Sequence, residues 1–291
     1  MARKRRPFFK KRRRLEGEDF APRPPRRRIQ INKMKKGIFI LPSLLTLGSI
    51  FCAFYGTVLA IKQEFVWAAA LILTAGFFDG IDGKVARLTK TTTRFGLELD
   101  SLADVISFGM APAILMYMWV LVSMGRVGWI SAFLFVACGA LRLARFNVQS
   151  GSIDPKRFNG LPIPAAAAMV ATLVLFFHKL ELDPADFRII LLLVTTGLAF
   201  FMVSNIKFHA FKDLTLVKQK PFSSTVAFVL MLALIASAPA VVLFLLCAAY
   251  VVSGPVMTIV LYVQARKKLP EPDSEQESAL QEVSPAENSG T

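Results

Sequence analysis

From residue 38 to residue 263 the chain alternates long apolar runs with short polar connections, and this alternation restricts the fold before any motif is considered. Eight runs can be drawn, at 38–61, 66–88, 96–122, 128–146, 162–178, 188–204, 223–238 and 239–263. Most are near the ~20 residues a helix needs to cross the hydrocarbon of a bilayer. The fifth and sixth are short, and the seventh and eighth are parted only by the weak turn Ala236-Ser237-Ala238-Pro239. The content of 54% hydrophobic residues and mean hydropathy of +0.52 lie above a soluble domain's range. The expected fold class is all-α: a polytopic membrane helix bundle of about eight transmembrane helices.

Charge is dense up to Lys36 and again after Arg266, and sparse between. Three regions follow. Residues 1–36 form a basic, disordered cytoplasmic arm, residues 37–268 a membrane domain, and residues 269–291 an acidic, disordered cytoplasmic tail. The net charge of +15 owes much to the arm, with Arg3 to Arg6, Lys10 to Arg14 and Arg26 to Arg28. Arginine-rich arms bind nucleic acid through phosphates, or bind anionic lipid and fix topology. Because this arm runs straight into a span, the lipid reading is preferred. Positive charge also marks alternate loops: Lys84, Arg87, Lys90 and Arg94; Arg142, Arg145, Lys156 and Arg157; Lys207, Lys212, Lys218 and Lys220; then Arg266 to Lys268. By the positive-inside rule these loops and both termini are cytoplasmic, in an inner (cytoplasmic) membrane. Cys52, Cys138 and Cys247 lie far apart in apolar runs and read as small buried hydrophobes. His178 and His209 read as interfacial polar residues.

Within this apolar chain lies a compact polar constellation. Asp79, Asp82, Gly83, Ala86 and Arg87 are followed by Gly96, Asp100 and Asp104. Ionisable groups at membrane depth are costly and mark sites. The first aspartate pair is three apart and the second four apart, so at helical spacing each pair shares a face. If the two helices are neighbours, four acids converge, and hard divalent cations with oxygen ligands are the natural counter-charge. Gly80 and Gly83 weaken a helix and so call for a reason, such as a ligand lying close to the backbone. Ala86 keeps the same surface small, and Arg87 offers a planar fork of donors suited to phosphate. The set suits a nucleoside diphosphate carried on a lipid.

The constellation resembles the signature of the CDP-alcohol phosphotransferases, D-x2-D-G-x2-A-R-x8-G-x3-D-x3-D, at every fixed position. The resemblance implies a six-helix catalytic core, usually in a homodimer, that displaces CMP from a CDP-linked lipid or alcohol with two divalent cations, Mg²⁺ or Mn²⁺. It implies that Asp79, Asp82, Asp100 and Asp104 are metal ligands and that Asp104 is also the catalytic base. Gly83, Ala86 and Arg87 would bind the CDP-lipid, joined by Thr93. Ser43 and Thr46 align with the family's Asn-x-x-Thr element, with Ser43 in place of Asn.

The stretches Ser107-Phe-Gly-Met-Ala-Pro112, Leu141-Arg142-Leu-Ala-Arg145-Phe-Asn147 and Phe158-Asn-Gly160-Leu-Pro162-Ile-Pro164 resemble the phosphatidylserine synthases of this family. The resemblance implies CDP-diacylglycerol and L-serine as substrates. Arg142, Arg145 and Asn147 are candidate acceptor-binding residues, because an amino-acid acceptor needs a cation for its carboxylate. Glycerol-phosphate or inositol-phosphate acceptors, giving phosphatidylglycerophosphate or phosphatidylinositol-phosphate, would also want arginines and stay open. A rival of another class is an ion-coupled transporter using the acids as a membrane ion site. It leaves the Gly-x-x-Ala-Arg element unexplained, and the acids are expected near one membrane face rather than at the midplane.

Overall fold

The computed structural model describes residues 33–89, 93–149, 157–209 and 221–267. The expectations for the basic arm as far as residue 32, for Lys90, Lys156, Lys212, Lys218 and Lys220, and for the acidic tail lie outside the described residues, as does the His209 side chain.

Eight apolar runs become eight helical spans or half-spans. α1 (Lys33–Ile61) and α2 (Phe65–Leu88) form a hairpin; α3 (Arg94–Asp104) passes through one turn of π-helix (Val105–Met110) into α4 (Ala111–Trp119); α5 is Arg126–Gln149. α6 (Ile163–Lys179) and α7 (Arg188–Val203) follow, then α8 (Pro221–Ser237) and α9 (Pro239–Lys267). Among the described residues, five stretches are long and apolar enough to cross a membrane: Ile40–Ile61, Phe65–Leu88, Arg94–Trp119, Arg126–Val148 and Pro239–Val260. The chain is therefore a polytopic helical membrane protein. α6 and α7, with 17 and 16 residues, rise only about 24–26 Å, which matches the shortness of the fifth and sixth apolar runs.

Small residues set the packing. Lipid tails are as apolar as leucine, so close contact between helices, rather than escape from water, holds such a bundle together. Ala53, Ala60, Ala68, Ala69 and Ala75 are fully buried between α1, α2 and their neighbours. A Cβ added to Gly56 would come 3.2 Å from the carbonyl oxygen of Ala68, so the hairpin crosses where only glycine fits comfortably. α6 is the central helix, with Ile163, Ala166, Val170 and Ala171 at zero exposure. α5 and α7 are tied by a 2.8 Å hydrogen bond between the Ser131 and Thr196 hydroxyls. α9 docks on α6 through the stacked rings of Phe176 and Phe244, 4.3 Å between centroids.

A small addition to the all-α expectation joins two loops. β1 (Arg157–Asn159) pairs antiparallel with β2 (Lys207–His209), Phe158 opposite Phe208. The next residue, Gly160, has φ +84°, and its N–H donates to Ile206 O at 2.9 Å. Leu161 N–H donates to Phe201 O at 2.9 Å. The Phe-Asn-Gly-Leu-Pro stretch is thereby clamped to the end of α7 just before α6 begins.

Candidate active site

α2 carries Asp79 and Asp82 on one face, and α3 carries Asp100 and Asp104 on the face turned towards it. Oxygens of Asp79, Asp82 and Asp100 lie within 4.8 Å of one another. That spacing fits the donor set of a hard cation, whose oxygen ligands sit at about 2–2.6 Å from the ion. Asp104 lies one turn further along α3, close enough to Asp79 and Asp100 for their charges to interact. Three of the four acids expected to converge form one cluster, and Asp104 stands beside it.

Asp82 is the most enclosed of them, 3% exposed. Its Oδ2 accepts a 2.7 Å hydrogen bond from the Thr46 hydroxyl on α1, while Pro42 O lies 3.1 Å from the same hydroxyl. A hydroxyl has one proton, and the shorter contact to the charged acceptor wins it. Thr46 thus links the first helix to the acidic cluster.

From the acids a cleft of about 290 Å³ opens between α1, α2 and the start of α3. It is lined by Pro42, Ser43, Thr46, Asp82, Gly83, Ala86, Arg87, Thr93, Gly96, Leu97 and Asp100. All six residues expected to bind the CDP-lipid are on this wall. A Cβ placed on Gly83 would meet nothing within 4 Å, so glycine there keeps the cleft open rather than letting helices touch. Arg87 Nε donates to Gly83 O at 2.9 Å, which fixes the side chain along the wall and leaves the terminal nitrogens for a ligand. Thr93 Oγ1 accepts from Gly96 N–H at 3.0 Å and caps α3, with Gly96 too close to that oxygen to carry a side chain easily. The cleft therefore combines phosphate donors, small walls and a carboxylate floor.

The profile of the CDP-alcohol phosphatidyltransferases matches residues 39–203, more than half of the chain. The chain belongs to this family. Among curated relatives of this phosphatidyltransferase, the CDP-diacylglycerol–serine O-phosphatidyltransferase of Helicobacter pylori (strain 26695) is 43% identical over 175 residues, covering 60% of this chain and 74% of the relative. The protein of the same name from Bacillus subtilis is 33% identical over 172 residues, 59% of this chain and 91% of the relative. The archaetidylserine synthase of Methanothermobacter thermautotrophicus is 38% identical over 181 residues, 61% of this chain and 73% of the relative.

The three acceptor candidates of this phosphatidyltransferase divide. Arg142, on α5, faces the acids: it is within electrostatic reach of Asp104, and Phe146 lies 5.9 Å from its guanidinium. Its Nε is buried without a hydrogen-bond partner. Arg145 instead donates to Asn205 Oδ1 at 2.8 Å, and Asn147 donates to Ser101 Oγ at 3.0 Å. These two bonds tie α5 to the end of α7 and to α3. Tyr250 of α9 lies within electrostatic range of Arg142 and was not a sequence candidate. Its only signal is a polar-tipped aromatic inside an apolar run.

Asp79 lies nine residues before the end of α2, and Asp104 ten residues into α3, so both are about 14–15 Å along the axis from those helix ends. His178, on the opposite side of the bundle, lines a separate recess with Glu64, Trp67 and Trp119.

Proposed function

We propose that this phosphatidyltransferase makes phosphatidylserine, moving the phosphatidyl group of CDP-diacylglycerol to the hydroxyl of L-serine with release of CMP. One observation carries the reading: a glycine- and arginine-walled cleft that ends on convergent carboxylates. The names of the relatives above support serine as the acceptor.

In this reading the cytidine diphosphate lies along Gly83 and Ala86, with Ser43, Thr46 and Thr93 on the facing wall and Arg87 donating to phosphate oxygens. Asp79, Asp82, Asp100 and Asp104 would hold two divalent cations, Mg²⁺ or Mn²⁺, which when bound offset the charge on the phosphoryl oxygens and on the leaving CMP. Thr46 keeps Asp82 oriented. Asp104 takes the proton of the serine hydroxyl. The serine oxygen forms its bond to the phosphorus attached to diacylglycerol, and the bond from that phosphorus to the bridging oxygen of CMP breaks. Arg142 pairs with the serine carboxylate, while Arg145 and Asn147 hold α5 in place around it. The basic loops support an inner-membrane location with the cleft and both termini on the cytoplasmic side, and family likeness supports a homodimer.

The test is an acceptor panel. Purified protein in lipid, given labelled CDP-diacylglycerol and Mg²⁺ or Mn²⁺, should release CMP with L-serine and yield a lipid carrying the amino acid. Release with glycerol 3-phosphate or inositol phosphate, and none with serine, would replace the acceptor. Metal-independent behaviour with no CMP from any acceptor would remove the enzymatic reading.

A further inference from the structure

Asp100 and Asp104 ride on a helix with few anchors of its own. Of the eleven residues of α3, only Ala103 is fully buried. The turn that follows is held more firmly. In the π turn Val105–Met110, which begins directly after Asp104, Ser107 is 0% and Phe108 1% exposed. Two helices grip it. From α1, Ser49, itself buried, donates to Ser107 Oγ at 3.3 Å. On α2, Gly76 makes room for the Phe108 ring, since a Cβ added there would stand 3.7 Å from Phe108 Cε1. Gly76 is three residues before Asp79, and Ser49 is three residues after Thr46, the partner of Asp82. Both grips therefore fall about one helical turn from the acidic cluster.

A π turn carries one residue more than the regular α-helix, which is the commoner geometry. Relaxing it would turn α3 by about 100° about its axis, and shift it by about 1.5 Å, relative to α4. Asp100 and Asp104 would then leave the face turned towards α2. Apolar packing discriminates poorly between two such registers. A buried polar contact that forms in only one of them selects it.

We propose that Ser49 and Ser107 form a register lock: they are positioning residues that fix the π turn, and with it the aspartates of α3, opposite Asp79 and Asp82. Neither serine lines the cleft, so their effect on the reaction passes through the acids. The proposal rests on the function given above, in which the acids hold divalent cations and Asp104 takes the proton.

The experiment compares Ser49→Ala, Ser107→Ala and the double variant in the full chain, with two readouts. Mn²⁺ binding in detergent is followed by the EPR signal of the free ion, and steady-state kinetics in lipid give kcat and the KM for CDP-diacylglycerol. Each single variant should raise the Mn²⁺ half-saturation concentration about tenfold, as loss of a supporting partner does. The kcat should fall by about 10–10²-fold, with the KM for CDP-diacylglycerol little changed. The double variant should be no worse than either single one, because the two hydroxyls act as a pair. Thr195→Val is the control. It removes a buried hydroxyl of α7 that donates to Leu191 O of its own helix at 2.8 Å, and should lower thermal stability without moving Mn²⁺ binding. Wild-type Mn²⁺ binding in all three serine variants overturns the proposal. So do additive effects, or a loss of binding that Thr195→Val reproduces at equal loss of thermal stability. If the unaltered protein binds no Mn²⁺ and releases no CMP, the reading of the acids as a metal centre fails first and takes the lock with it.

Discussion

Asp82 is held by a single hydroxyl, and that contact locates much of the site's sensitivity. Thr46→Val is nearly isosteric but leaves a buried carboxylate oxygen without its donor. Loss of such a supporting partner costs about 10–100-fold in metal affinity or activity. A titration with Mg²⁺ or Mn²⁺ should therefore reach half-maximal activity at a metal concentration raised by that order. Asp104→Asn removes the proposed proton acceptor while keeping size and hydrogen-bonding reach. Turnover should fall by about 10²–10⁴-fold, with CDP-diacylglycerol still bound in an equilibrium assay. A variant turning over near the wild-type rate would refute the base assignment. Gly83→Leu projects into open space, so the fold should keep its thermal stability in detergent. The filled cleft should cost about 10²-fold in kcat/KM for the CDP-lipid, because misplacing the phosphates by an ångström is enough for that.

At the scale of elements, the turn after Asp104 deserves most weight. Residues 96–122 read as one continuous span; the structure has one span there, Arg94–Trp119, whose backbone loosens into a π turn from Val105 to Met110. Such a turn holds an extra residue relative to an α-helix and is frequent at functional sites. It lets Asp100 and Asp104 face α2 while Ser107 and Phe108, fully buried, face the core, with Ser107 accepting from Ser49 at 3.3 Å. Periodicity exposes the aspartate faces but does not reveal an inserted residue, because every side chain in the stretch is compatible with an α-helix. The same limit explains the acceptor region. The arginines were visible in the sequence, but the partners that occupy Arg145 and Asn147 come from distant helices, at Asn205 and Ser101. Thr46 was legible only through family likeness, since nothing near it in sequence points to Asp82, 36 positions away. Tyr250 had no such guide. The β1–β2 clamp gives a further prediction. Gly160→Ala would place a Cβ against Met202 O at a positive φ, and should destabilise the protein by about 1–3 kcal/mol, read as a lower unfolding temperature.

For the whole molecule, the distribution of charge and of exposed apolar residues separates what the membrane holds from what the reaction needs. Ile40, Leu44, Leu47, Phe51 and Phe54 face outward along α1, as lipid-facing residues should. The described lining of the cleft and the acids come from α1, α2 and α3. Deleting the residues before Gln30 should therefore leave kcat and both KM values within about twofold, although binding to anionic vesicles should weaken by about 1 kcal/mol for each arginine or lysine removed near the surface. Loss of turnover on that deletion would return the arm to a functional role, including the nucleic-acid one.

The mixed lining of the cleft has a consequence for traffic. Leu97 lines the cleft, and Leu44 and Phe95, each next in sequence to a lining residue, are exposed apolar side chains of α1 and α3. A two-tailed substrate can slide in between those helices without leaving its leaflet, and the new lipid can depart by the same side door. The amino acid and the spent nucleotide are soluble in water and call for a hydrated route instead. Lipid and water-soluble reactants thus call for separate routes, one greasy and one wet, that meet at the carboxylate floor.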